Sequence, residues 1–351
     1  GLSGNEDVET TDPLPLVREV DDNEPAIPSN LKAGDSIAIL PKSLERAVKT
    51  FLLTCAARRI RKEGTPHNTM LIHVARYIRA QKEVRQLVGE LLRDITSKIQ
   101  SGQDSYLEEF KSIWQEGRSE DSSFVSVSKD MMTLGYKDAR LHDWEDIRNE
   151  LYEATKCILV KELNGHEKDT LDYREKDREV DEERASGFVE WENRGLSLIA
   201  IGGDKLSRGL TLEGLSVSYY LRSANGYDTL MQMGRWFGYR SGYTDLCRIY
   251  TTGDLLERYR FIATANWELW DMFDQMEFLG KSPDDFGFRV REFPGRLAIT
   301  SIGKRRQATR IRISFQGELC QTISFDRRHS KHNLNALKHL IDGIGREPQQ
   351  I

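Results

Sequence analysis

Residues 198–243 read LIAIGGDKLSRGLTLEGLSVSYYLRSANGYDTLMQMGRWFGYRSGY, and this stretch decides the fold. The apolar run Leu198-Ile199-Ala200-Ile201 ends at Gly202-Gly203, the pattern of a short buried strand closing in a tight turn. A polar loop carrying Asp204, Arg208 and Gly209 follows. The run Leu215 to Leu221 then reads as a second strand, and a segment rich in glycine and aromatic residues bears Gln232, Arg235 and Arg240. Loops that leave buried strands with glycines and arginines suit phosphate: backbone approaches closely, and guanidinium forks meet phosphate oxygens.

The same grammar extends outward. Met70 to Ala75 reads as a strand, and Val84, Leu87, Val88, Leu91, Leu92, Ile95 and Ile99 fall on one face of the helix after it. Strand followed by helix is one βα unit of a parallel sheet, so the expected class is α/β. His73 is the polar residue of that strand and is read as a sheet histidine with a local partner. Upstream, Pro41-Lys42-Ser43 predicts a helix start with Ser43 as N-cap, and Leu44, Ala47, Val48, Phe51, Leu52, Cys55 and Ala56 share its core face. Further helices are expected over 104–114 and 144–154, and further strands over 157–160 and 245–250. The apolar set Leu255, Leu256, Tyr259, Ile262, Trp267, Trp270 and Phe273 predicts a helix with its aromatic stripe in the core.

Composition narrows the class. At 351 residues the chain has room for about two domains of roughly 150 residues each. No apolar run approaches the roughly 20 residues that span a bilayer, and a signal-peptide core is lacking at the start. Cys55, Cys157, Cys247 and Cys320 are scattered without a C-x-x-C pair, which speaks against a zinc site or a disulfide framework and for a reducing, cytoplasmic setting. The net charge of -5 conceals an asymmetry: residues 1–35 carry nine acidic and two basic side chains, whereas 289–346 carry thirteen Lys/Arg against four Asp/Glu. We expect 1–35 to be an acidic lead-in or linker, 36–255 the main domain with a charged insertion at 165–194, and 256–351 a basic extension of helix and β-hairpin. Lys304, Arg305, Arg306, Arg310, Arg312, Arg327 and Arg328 surround that hairpin and suit a phosphate backbone, with double-stranded DNA the expected partner.

Two tempting motifs fail. Asp181-Glu182-Glu183-Arg184 lacks the apolar strand that would hold carboxylates at a Mg²⁺ site, and Gly280-Lys281-Ser282 lacks the leading glycine of a P-loop, Gln275 standing there instead. His329, His332 and His339 have no carboxylate or thiolate at useful spacing, so no metal site is expected.

Gly203-Asp204-Lys205-Leu206-Ser207-Arg208-Gly209-Leu210-Thr211 resembles motif V of superfamily-two helicases, T-D-x-x-x-R-G-x-D. Gln232-Met233-Gly234-Arg235 with Arg240 resembles motif VI, Q-x-x-G-R-x-x-R, and the strand at 70–75 resembles motif IV. With GRWFGYR intact, the whole stretch looks most like the Z1 domain, named as an endonuclease domain and attached to helicase-like ATPases of bacterial restriction systems. That resemblance implies a RecA-like parallel sheet with flanking helices, the second helicase domain lacking a Walker A motif, followed by a small α+β extension. It implies arginine fingers at Arg235 or Arg240, with a slight preference for Arg240, and a polar contact from Gln232. It further implies nucleotide and nucleic-acid coupling through Gly203, Asp204, Arg208, Gly209 and Thr211.

The sequence departs from the pattern at three points: Gly203 replaces threonine, Thr211 replaces aspartate, and Arg240 follows Arg235 by five residues instead of three. With no Walker A and no credible Walker B, the chain reads as half of an ATP·Mg²⁺ site. An upstream RecA-like domain would complete it, and a nuclease subunit is the expected partner of the assembly. The rival readings are a metal-dependent nuclease, which needs clustered carboxylates on ordered strands, and a non-enzymatic module docking DNA or a nuclease.

Overall fold

The computed structural model describes residues 16–21, 23, 26–28, 31, 32, 34–62, 67–116, 123–163, 195–203, 212–222, 226–234, 240–282, 290 and 330–344. Six strands form one all-parallel sheet: β1 (Val17–Glu19), β2 (Asn68–His73), β3 (Ile158–Leu163), β4 (Ser197–Gly202), β5 (Leu215–Tyr220) and β6 (Arg248–Thr251). Their order is β1-β6-β5-β2-β4-β3. Every residue of β2 and β5 is buried, which explains why their sequences run apolar or uncharged instead of alternating.

Helix α1 (Lys42–Arg61) lies against β5 and against α5 (Trp144–Thr155). Its seven expected core residues are all buried, but so are Lys49, Thr50 and Thr54 on other faces. Thr50 Oγ1 meets Tyr250 Oη at 2.8 Å, and Lys49 pairs with Glu109 at 2.6 Å, so the polar positions are satisfied where they are covered. Helix α2 (Ile78–Gln100) buries Val84, Val88, Leu92, Ile95 and Ile99. Helix α3 (Asp104–Lys111) continues into a π-helical turn at Ser112–Glu116, and α4 (Phe124–Thr133) follows. Helix α6 (Tyr227–Gly234) leads towards β6, and α7 (Gly253–Phe278) leaves it. The chain divides into two units, 1–301 and 302–351; among the described residues the second contributes α8 (Ser330–Ile344). No helix among the described residues is long and apolar enough to cross a membrane.

Several expectations need correction. Ser43 is not the N-cap of α1: Pro41 holds that place with extended backbone, and Ser43 Oγ instead meets Tyr219 Oη at 2.8 Å. Part of the stretch read as a lead-in is sheet, since Val17–Glu19 pairs with Ile249–Thr251, and Val20 and Ile27 are core residues. Helix α4 lies outside the helices expected from the sequence; its N-cap is Ser123, whose Oγ accepts from the Ser126 amide. Asp245 precedes β6 in a 3-10 turn, Thr244–Leu246. The aromatic stripe of α7 is not core: Trp267 and Trp270 are 65% and 66% exposed. They fall out of register with Leu255, Ile262 and Ala265, which are the buried positions of that helix. The charged insertion and the C-terminal hairpin lie outside the described residues.

The amino edge of the sheet is tied by arginines from the last turns of α1. Arg61 forks onto Asp245, Nη1 to Oδ1 and Nη2 to Oδ2, both at 2.7 Å, with both side chains essentially fully buried. Ser128 Oγ donates to Asp245 Oδ2 at 2.6 Å, and Arg61 also donates to the carbonyls of Gly242 and Arg140. Its Nε donates to His142 Nε2 at 3.0 Å. Arg58 donates to the His67 carbonyl at 2.6 Å and to Asn68 Oδ1 at 2.8 Å, and its guanidinium lies 3.9 Å from the centre of the Tyr243 ring.

Asp245→Asn leaves Arg61 as an uncompensated buried cation. We expect it to cost about 3–5 kcal/mol in urea unfolding, and a loss below about 1 kcal/mol would refute the importance of the pair. Burial, with Arg61 adding to it, pushes the His142 imidazole below its usual range, and burial does the same at His67, whose Nδ1 accepts from the Leu196 amide. The folded state therefore binds fewer protons than the unfolded chain, whose histidines titrate near pH ~6.5. The melting temperature should hold above about pH 7 and decline as the pH falls through ~6.5, and the His67→Gln/His142→Gln variant should flatten that decline.

Candidate functional site at the carboxyl edge of the sheet

In an open parallel sheet, ligands bind beyond the carboxyl ends of the strands, where neighbouring connections diverge. Strand order places that point between β2 and β5. The chain leaves β2 towards β3, returns to β4 beside β2, crosses to β5, and leaves β5 towards β6. What the sequence puts at these two strand ends is therefore the first place to look for chemistry.

Strand β2 ends in His73, and β5 is followed by Leu221-Arg222. The Arg222 amide donates to the His73 carbonyl at 3.2 Å, and Arg222 Nη1 lies 3.1 Å from His73 Nε2. A guanidinium has no acceptor, so His73 accepts through Nε2 and carries its proton on Nδ1. The imidazole stands edge-on to Tyr220 at 5.4 Å. Tyr220 Oη in turn donates to Met233 Sδ at 3.0 Å, which links the strand ends to α6. His73 is thus a sheet histidine with a partner, as expected, but the partner is a half-buried arginine at the switch point.

Beyond β2 the chain turns through Ala75 and Arg76 into α2. The first turn of α2 has no acidic residue, and its N-cap, Tyr77, offers no side-chain acceptor. The amide groups there keep their positive end towards the sheet edge. Gly203, at the end of β4, packs on this turn: a Cβ there would come within 3.3 Å of the Arg76 carbonyl, 3.4 Å of the Ala75 carbonyl and 2.5 Å of Gln81 Nε2. This close approach gives a physical reason for glycine where the helicase pattern has threonine. Gln81 is buried; its Nε2 donates to the Ala75 carbonyl at 3.1 Å, while its Oε1 has no hydrogen-bond partner among the described residues. The edge therefore brings together a guanidinium held against His73, an uncapped helix start and a buried amide oxygen without a partner among the described residues.

Of the residues singled out in the sequence, Gly203 is the one placed at this edge. Gln232 is exposed on α6, whose buried side, Leu230 and Met233, faces the protein. Arg240 lies at the opposite edge: its Nε donates to the carbonyl of Leu215, the first residue of β5, at 3.3 Å. Its own carbonyl accepts from Thr244 Oγ1 at 2.6 Å. Asp204, Arg208, Gly209, Thr211, Arg235 and the basic residues Lys304, Arg305, Arg306, Arg310, Arg312, Arg327 and Arg328 lie outside the described residues. Arg222 and Gln81 were missed. Arg222 could have been found as the first cation after a buried strand, whereas Gln81 carries no signal in the sequence.

Other chemistries find little support here. Burial pushes the Cys55 and Cys247 thiols up to about 12, so neither is a thiolate nucleophile. Among the described residues no three His, Cys, Asp or Glu side chains gather as metal ligands.

The model of the Z1 domain family matches residues 43–297. The chain belongs to the Z1 domain family. The match spans all of the sheet except β1, and it includes both strand ends at the switch point. No curated protein and no solved structure matches the chain.

Gly203→Ala forces a methyl group against the Ala75–Arg76 carbonyls. It should destabilise this Z1 domain by about 1–3 kcal/mol in thermal unfolding. An unchanged melting temperature would mean that the turn into α2 yields freely.

Proposed function

We propose that this Z1 domain is the second, RecA-like wall of an ATP site in a DNA-dependent ATPase or translocase of a restriction-type system. The observation that carries the reading is the carboxyl edge at the β2/β5 switch point. There Arg222, the uncapped start of α2 and the glycine-tight turn at Gly203 come together, and in the sequence Gly203 leads directly into the segment that bears Asp204, Arg208, Gly209 and Thr211.

Within this reading the chain contributes cations and positioning. Arginine is suited to the charge that develops on a transferring phosphoryl group, because it stays protonated and forks onto two oxygens. The slight preference for Arg240 as the finger reverses: its Nε is spent on the Leu215 carbonyl at the amino edge, so Arg235 takes the role. Gln232, exposed on α6 and three residues before Arg235 in the sequence, would orient the same ligand. The Mg²⁺ that accompanies ATP would be held by the domain that carries the Walker carboxylates. The basic residues from Lys304 to Arg328 would follow the DNA backbone, and a nuclease subunit would perform any cleavage.

The test uses the protein together with its P-loop domain. Arg235→Ala should lower DNA-stimulated kcat by about 10³-fold or more, as removal of an arginine finger does. Arg240→Ala should keep kcat within about tenfold and lower thermal stability instead. Residues 1–351 alone should show no turnover. Normal hydrolysis by Arg235→Ala, or turnover by 1–351 alone, contradicts the proposal.

A further inference from the structure

The outer half of α7 presents aromatic rings and carboxylates together to solvent. Trp267, Trp270 and Phe278 are 65%, 66% and 90% exposed, and Phe273 stands edge-on to Trp270 at 6.0 Å. At about 100° per residue, Trp267, Trp270, Asp271, Asp274 and Phe278 share one face. That face lies opposite the side continued by the buried Ile262 and Ala265. From Phe261 to Gly280 the chain carries Glu268, Asp271, Asp274 and Glu277 and no lysine or arginine. The patch runs on to α6 through Asn266, whose Nδ2 approaches the half-exposed Met231 Sδ at 4.0 Å.

Two physical facts select what fits there. Tryptophan keeps its large apolar surface in water only at a cost of a few kcal/mol, which a partner surface would recover. Asp271, Asp274 and Glu277, three carboxylates along roughly two turns, repel a phosphate backbone and attract ammonium and guanidinium groups, which also bind well over indole faces. A stacking platform for single-stranded nucleic acid needs the same rings but the opposite charge.

We propose that the outer half of α7 is a protein-docking face for a cationic amphipathic helix, its apolar side laid on Trp267 and Trp270 and its Lys/Arg residues meeting Asp271 and Asp274. The mode is helix against helix, with anchors at i, i+3 and i+4. It does not depend on the ATP-site reading, since neither α7 nor its ligand takes part in phosphoryl transfer. It gives the chain a partner-binding surface separate from the basic tail.

The probe is a fluorescein-labelled amphipathic helix of leucine and lysine, titrated into the whole chain and followed by tryptophan emission and, for the tryptophan variant, by the anisotropy of the label. A Leu/Glu peptide of the same pattern is the control. We expect a saturable blue shift with the Leu/Lys peptide and none with the control. Binding should weaken as salt rises from about 0.1 to about 1 M, over which the screening length falls from about 10 to about 3 Å. Trp267→Ala/Trp270→Ala and Asp271→Lys/Asp274→Lys should each lose binding while keeping the wild-type circular dichroism, because all four side chains are exposed. If a variant fails to fold, protection of the wild-type tryptophans from acrylamide by the peptide serves as the readout instead. The proposal is overturned by equal binding in the Asp271→Lys/Asp274→Lys variant, by the absence of a saturable shift, or by stronger tryptophan protection with DNA. Self-association of the chain that disappears in Trp267→Ala/Trp270→Ala overturns it as well.

Discussion

The buried Arg61–Asp245 fork is the constraint on which the rest of the molecule depends. It joins the end of α1 to the turn before β6, and Ser128, Arg140 and Gly242 complete its hydrogen bonds. Taking both charges out of water is costly, and the site repays that only because nearly every donor and acceptor is met. Arg58, one turn earlier, ties the starts of β2 and β5 through the carbonyls of His67 and Gly214. Gly214 belongs to the same device: its positive φ and its closeness to the His67 carbonyl leave no room for a Cβ. The amino edge of the sheet is thereby fixed by side chains that cannot also serve a ligand.

The carboxyl edge is built differently, and the contrast is what gives it functional meaning. There the sequence supplies a glycine, an uncapped helix start, an arginine resting on a neutral histidine, and a buried glutamine with an idle oxygen. Polar groups of that kind are normally satisfied, and an orphan in a folded protein calls for an explanation. Among the described residues the Gln81 oxygen is such an orphan at this edge. The route from Arg222 through Tyr220 to Met233 runs through direct contacts and connects this edge to the helix that bears Gln232.

Much of this was legible in the sequence because apolar runs bounded by glycine are unambiguous when both sheet faces are covered. Strands β2, β4 and β5 and helices α1, α2 and α7 fall where hydrophobic period places them. The errors have physical causes. Ser43 reads as a cap by type, but the proline before it already supplies the extended backbone, and its hydroxyl is spent on Tyr219. Val17–Glu19 is a strand only because β6 offers an open edge, and no local pattern announces it. Trp267 and Trp270 look like core residues because indole is usually buried; exposure depends on where α7 stops touching its neighbours, which period alone does not tell. That Arg240 Nε is spent on the Leu215 carbonyl could not be read from the sequence, because the contact joins it to a strand start 25 residues away.

On the function proposed for this Z1 domain, a phosphorylated ligand meets the carboxyl edge and not the amino edge. Hydrogen exchange by mass spectrometry, with and without a non-hydrolysable ATP analogue and duplex DNA, on the protein joined to the P-loop domain proposed to complete the site, decides between the two edges. Exchange should slow in the peptides covering 74–81, 203–212 and 221–226. The amides around Arg61, Arg240 and Asp245 should be unaffected. Protection confined to the amino edge, with the carboxyl-edge peptides unchanged, would contradict it.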